Sequence, residues 1–183
     1  MKRASIFWFT GLSGAGKTTI ALGVRKALQQ VGLSVAIFDG DDIRSRLHRD
    51  LGFSPEDIRL NNKLIAELCA TEREYYDVIL VPIISPFDDS RRAARKLLAP
   101  DFYEIHCDAR LDVVVSRDTK GLYDRAYSGA LDNMIGVSPD TPYEKPLNPD
   151  LRIDTSAMPV QGAVDLMRHF VSSKTKLEDN EKV

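Results

Sequence analysis

The sequence predicts a three-layer α/β fold, a parallel central sheet flanked by helices and carrying a lid segment. Three observations lead there. Short apolar runs, Ser5–Phe9, Ser34–Phe38, Val78–Ile84 and Phe102–Cys107, alternate with longer stretches of helical periodicity, the pattern of a parallel sheet with helical crossovers. Gly11-Leu-Ser-Gly-Ala-Gly-Lys-Thr18 satisfies GxxxxGK(S/T) and lies between the first run and the first helical stretch. Finally, about thirty residues near the C-terminal end, roughly 118–147, are rich in Gly, Asp, Asn and Pro, and so long a loop in a small domain is usually functional. Together these describe a fold of the P-loop NTPase type.

Taken in order, Ser5-Ile-Phe-Trp-Phe9 reads as a buried strand feeding the glycine-rich loop. Thr18 to Gln30 repeats Ile20, Val24 and Leu28 at helical spacing. The second strand ends in Asp39-Gly-Asp41, where a parallel sheet exposes its functional edge, and a short helix with Arg44 and Arg46 follows. Ser54 caps and Pro55 opens a helix expected to run toward Tyr76, with Leu64, Ile65, Leu68 and Cys69 on its apolar face. Val78–Ile84 is apolar enough for a central strand, whose regular pairing should end near Pro82. Ser85-Pro-Phe87 leads into a helix bearing Arg91, Arg92 and Arg95. After the strand Phe102–Cys107, Leu111–Val115 begins another helix and the lid follows. Leu151–Ile153 is the last strand, Val160–Val171 a closing helix, and 172–183 a disordered tail; 1–171 is expected to be a single domain.

Bulk properties remove several classes of function. With 183 residues there is room for one α/β domain with a substantial core. A formal charge of −2 offers no basic field for nucleic acid. Cys69 and Cys107 have no metal-ligand spacing and read as core residues. Neither an N-terminal export signal nor a membrane-length apolar run is visible, which implies a cytoplasmic protein without membrane contact.

The chemistry begins with the loop. Its glycines let consecutive N–H groups of Gly11, Leu12, Ser13, Gly14, Ala15 and Gly16 turn inward around a phosphate, and the next helix points its positive end at the same charge. Lys17 would meet the β/γ-phosphates of ATP, Thr18 would offer its hydroxyl to Mg²⁺, and Thr19 extends the binding segment. Asp39 and Asp41 could reach a metal or a hydroxyl, although a solvated Asp/Gly turn is an equal alternative on spacing alone. For the arginines on the later helix, a solvated face is as good a reading as anion binding.

The ordered blocks GLSGAGKT, DGDDIR, LGFSPED, ISPF with its arginine helix, RDTKGLY and PYEKPLNPDL resemble the adenylylsulfate kinase family from Ser5 to about Asp154. That resemblance implies Mg²⁺-dependent transfer of the ATP γ-phosphate to the ribose 3′-hydroxyl of adenosine 5′-phosphosulfate, by an enzyme that is usually a homodimer. It implies that Asp41 takes the proton of the attacking hydroxyl while Asp39 supports it or the metal. Arg44 would bind the acceptor nucleotide, Phe53 stack on its base, and Arg91 with Ile84 and Ser85 line the same pocket. Ser85 corresponds to a phosphoserine proposed in the family, a role that in-line transfer does not require. Lys120 would enter from the lid to neutralise the transferring group.

Several blocks depart from the family. Its DRxxN after GFS is matched by Arg59 with Asn62 if one residue is inserted, or by Asn61 with no arginine if none is. The arginine after ISPF is Asp88, and the one before the lid's alanine-glycine pair is Tyr127. FTGI becomes Met134-Ile-Gly-Val137, so Met134 is expected where an aromatic would cover the acceptor base. The segment before Pro142 is longer by about two residues. The donor blocks are intact while the acceptor blocks drift, which leaves room for a sister 3′-hydroxyl kinase acting on another activated 5′-nucleotide such as a cytidine derivative. A GTP switch would need an NKxD block that Asn62-Lys-Leu-Ile65 does not supply.

Overall fold

The computed structural model describes residues 3–175. Five strands, β1 (Ser5–Thr10), β2 (Val35–Ile37), β3 (Val78–Pro82), β4 (Phe102–Asp108) and β5 (Leu151–Asp154), form one parallel sheet in the order β2-β3-β1-β4-β5. Because β1 pairs with β3 on one side and β4 on the other, with Phe9 opposite Pro82 and Ile105, the chain leaves β1 at the sheet's switch point. Pro82 lacks a donor and is tolerated because it is the last residue of its strand.

Successive side chains of β1 point to opposite faces and found two cores. Phe7 and Phe9 pack with Ile20, Val24 and Leu28 of helix α1 (Lys17–Gln30) and with Met167 and Val171 of α7 (Val160–Lys174). Ile6 and Trp8 pack with Ile65 and Cys69 of α3 (Pro55–Glu72) and Ala94 and Leu98 of α4 (Asp88–Leu98). The remaining helices, α2 (Gly40–Arg46), α5 (Leu111–Arg117) and α6 (Leu122–Tyr127), border the sheet's C-terminal edge. Both cysteines are buried, Cys107 in the first core and Cys69 in the second.

Some boundaries differ from expectation. Asp39 closes no strand; its carboxylate accepts from the Asp41 amide and caps α2, which carries Asp41 into that helix's first turn. Helix α3 starts where Ser54 caps and Pro55 opens it but stops at Glu72, four residues before Tyr76. Helix α7 continues through Ser172 and Ser173 to Lys174, because Val171 is still buried and the turn beyond it remains paired, so the predicted tail does not begin at 172. Residues 176–183 of that tail lie outside the described residues. The segment expected to form a lid is not wholly loop: Asp118 accepts from the amides of Leu122, Tyr123 and Asp124 and so starts α6.

Helices α1 and α7 approach so closely at Gly23 that a β-carbon there would stand 2.6 Å from Cγ2 of Val164. Gly23→Ala would gain about 0.5–1 kcal/mol of helix propensity. It would lose about 1–3 kcal/mol to overpacking, since Val164 is stiff at χ1. We expect a net loss of stability, read as a lower urea midpoint with unchanged m.

Candidate active site

At the sheet's C-terminal edge lies a cavity of about 830 Å³. One end is walled by the glycine-rich loop through Ser13, Gly14, Gly16, Lys17, Thr18 and Thr19, together with Arg117, Thr155 and Met158; the other by Arg44, Phe53, Ile58, Asn61, Asn62, Ile84, Ser85 and Ile135. Asp39, Asp41 and Lys120 also line it. No helix among the described residues is long and apolar enough to cross a membrane.

The loop itself is a close-packed object. Gly11 has φ +149°, and a β-carbon on it would come within 2.5 Å of the Cys107 carbonyl oxygen. Gly11 and Ala15 are buried, and Leu12 lines a neighbouring cavity, so these three shape the loop without facing the large one. The Lys17 ammonium donates to the carbonyls of Gly11 and Leu12, each at 2.8 Å, and burial lowers its pKa from 10.5 to about 8. Two residues that sequence reasoning gave no role complete the cradle. Tyr123 donates to Ser13 O at 2.9 Å, and Arg117 donates to Gly14 O at 3.3 Å and Thr155 O at 2.6 Å. Both sit in the RDTKGLY block, and the capping Asp118 between them was the local signal that this block folds against something.

At the junction of the two ends, Thr18 donates to Asp39 at 2.7 Å, and Lys120 of the lid forms an ion pair with Asp41. Lys120 thus reaches across from the lid to a carboxylate on the opposite wall. Arg44 donates to the carbonyls of Leu51 and Gly52 and lies 4.6 Å above the ring of Phe53, so guanidinium and aromatic share one face of the cavity end opposite the glycine-rich loop.

Three residues predicted for the acceptor side are also absent from the cavity wall. Arg59 points the other way, donating to Asp89 at 2.9 Å and lying 4.1 Å over the Phe87 ring. Successive helical residues are rotated by about 100°, and α3 turns Ile58, Asn61 and Asn62 inward. Both asparagines therefore line the cavity and no arginine of this block does. Met134 is 6% exposed and belongs to the α1/α7 core, whereas the next residue, Ile135, lines the cavity beside Ile58 and Ile84. Gly136, with φ +84°, lets the lid backbone press on Leu12, and this fixes which neighbour faces in. Arg91 is 1% exposed and sits behind Ser85. Its guanidinium bonds Ser85 O and Glu144 O and pairs with Glu104, all at 2.8 Å.

The adenylylsulphate kinase family model matches residues 3–154. The chain belongs to that family. Its relatives include the adenylyl-sulfate kinases of Prochlorococcus marinus, 43% identical over 89% of this chain and 81% of the relative, and of Paraburkholderia xenovorans, 41% identical over 93% and 94%. Among solved structures, that of the Mycobacterium tuberculosis APS kinase CysC in complex with AMPPNP and APS superposes with a TM-score of 0.87, at 35% identity over 94% of this chain and all of that one. A sugar kinase from Janibacter, 18% identical with a TM-score of 0.66, shares the fold.

Burial of Lys17 has a measurable consequence. Between pH 8 and 10.5 the unfolded chain holds a proton that the unliganded folded protein has released, so this group makes stability rise with pH across that window. Below pH 8 the fold carries a buried cation. Lys17→Met should therefore raise the thermal midpoint of the unliganded protein near pH 7, flatten its rise between pH 8 and 10.5, and remove turnover. Parallel melting curves of both proteins from pH 6.5 to 10.5 check this.

Proposed function

We propose that this chain transfers the γ-phosphate of ATP to the ribose 3′-hydroxyl of adenosine 5′-phosphosulfate, giving 3′-phosphoadenosine 5′-phosphosulfate. The observation that carries the reading is the position of Asp41: it lies where the phosphate loop meets the acceptor wall, paired with a lysine from the lid. ATP would lie along the Gly11–Thr19 loop and Arg117, with Lys17 on its β/γ-phosphates. The acceptor would occupy the end lined by Arg44, Phe53, Asn61, Asn62, Ile84 and Ser85.

Transfer between two oxygens asks mainly for alignment and charge stabilisation. Asp41 accepts the proton of the 3′-hydroxyl as the new O–P bond forms and the bond from Pγ to the β,γ-bridging oxygen breaks, ADP leaving with that electron pair. The same event frees Lys120 from its carboxylate partner to neutralise the transferring group. Ser85 is a poor relay, because among the described residues its buried hydroxyl has no hydrogen-bond partner that could serve as a base. The Thr18 hydroxyl and Asp39 carboxylate are oxygen donors of the kind that share Mg²⁺ with nucleotide phosphates. When bound there, Mg²⁺ supplies charge neutralisation on the β/γ-phosphates. A cytoplasmic, homodimeric enzyme belongs to the same reading.

A second reading, a sister 3′-hydroxyl kinase for another activated 5′-nucleotide such as a cytidine derivative, is favoured by one observation. The acceptor wall carries Ile58 and Ile135, while Arg59 and Met134 turn elsewhere. Among the described residues, Arg44 is the one arginine lining that end of the cavity.

Two measurements test the proposal. In an ATP-consumption assay over a panel of 5′-nucleotides, adenosine 5′-phosphosulfate should give the highest kcat/KM; a preference for a cytidine acceptor would promote the second reading. Asp41→Asn should lower kcat by about 10²–10⁴-fold, whereas Ser85→Ala should retain most activity. A catalytically competent phosphoserine at position 85 would reverse that order.

A further inference from the structure

Ser85 lines the cavity in a conformation that needs support. Its φ is +45°, sparsely populated for a residue with a β-carbon, and such strain persists only where the surroundings over-determine it. Its carbonyl accepts from Thr10 Oγ1 at 3.1 Å and from Arg91 at 2.8 Å, while Thr10 also donates to Ile84 O at 2.7 Å. The other arm of the Arg91 guanidinium donates to Glu144 O, where the lid returns to the sheet. That return is stitched to the same turn: the Glu144 amide donates to Pro86 O at 2.9 Å, and its carboxylate accepts from the Asp88 amide at 2.7 Å. Glu104 of β4 holds Arg91 in place from behind, and Arg95, one helical turn on, joins Glu104 to Asp150 just before β5.

We propose that Arg91 is a positioning residue for the acceptor end of the cavity: one buried guanidinium clamps the strained Ser85 turn to the root of the lid. It touches no substrate and sets where Ile84 and Ser85 stand. The identity of the acceptor rests on the functional reading above; the clamp does not. The phosphate loop has its own supports in Lys17, Arg117 and Tyr123 and its backbone meets the clamped turn through one bond, Gly11 N–H to Ile84 O at 3.3 Å, so loss of the clamp should affect the ATP end far less than the acceptor end.

Arg91→Lys keeps the charge opposite Glu104 but cannot hold two carbonyls and a carboxylate in one plane. In this variant KM for adenosine 5′-phosphosulfate should rise by about tenfold or more, in line with what small misplacements cost. KM for ATP should stay within about twofold, the pattern of an effect confined to one substrate. Amide hydrogen exchange at Asp88 and Glu144 should accelerate while α1 keeps its protection. Should Arg91→Lys fail to fold, the pair Arg91→Met with Glu104→Gln removes both buried charges and is read in the same way. An unchanged acceptor KM, parallel rises in both KM values, or failure of both variants to fold would overturn the proposal. A wild-type enzyme inert toward adenosine 5′-phosphosulfate would sink the functional reading instead; hydrogen exchange then decides the clamp, and unchanged exchange at Asp88 and Glu144 overturns it.

Discussion

The site depends on a contact between two pieces of backbone. A β-carbon on Gly11 would press against the Cys107 carbonyl, so only glycine lets the chain leave β1 while still flush against β4. From that departure the loop can fold back far enough for Lys17 to reach the carbonyls of Gly11 and Leu12, with α1 starting at the lysine itself. The cation is then held by dipoles rather than by a carboxylate, in a buried place where its charge is costly. An arriving polyphosphate supplies the countercharge that the protein withholds.

The opposite wall is organised by carboxylates that are all engaged. Asp39 takes the Thr18 hydroxyl and the Asp41 amide, Asp41 takes Lys120, and Glu104 takes Arg91 and Arg95. The central ones sit on the cavity, Asp41 exposed and Asp39 half-buried, so substrate can reach both and exchange their partners at small cost. Glu104 and Arg91 are sealed in the core, where breaking a pair is expensive. The exchangeable pairs lie at the centre of the site and the permanent one forms its frame.

How legible this was in the sequence varied with the range of the interaction. The five strands, the loop and the Ser54 cap depend on neighbours a few residues away, and their residue types announce them. Asp41 was assigned to the correct edge of the sheet, although the cap formed by Asp39 moves it onto a helix. The outward turn of Arg59 is readable in the helical phase, since Ile58, Asn61, Asn62, Ile65 and Cys69 share one face and Arg59 is off it, although motif spacing alone points it inward. Met134 and Arg91 were not readable in this way. Which of Met134 and Ile135 faces the cavity depends on Gly136 docking against Leu12, more than 120 residues away. A buried Arg91 makes sense only once Glu104 and Glu144 stand beside it. Motif resemblance carried both residues to the right neighbourhood and gave each the wrong surroundings.

The alternation along β1 reaches beyond packing. Phe7 and Phe9 belong to one core and Ile6 and Trp8 to the other, so the same strand is the inner wall of both. A shift by one residue would exchange the two sets, sending the indole of Trp8 toward α1 and both phenylalanines toward α3 and α4. Neither layer can therefore settle on a register by itself, and a half-formed molecule with one face packed already constrains the other. Strand β1 is the shared reference for the two halves of the fold, and the phosphate loop is the direct continuation of that strand.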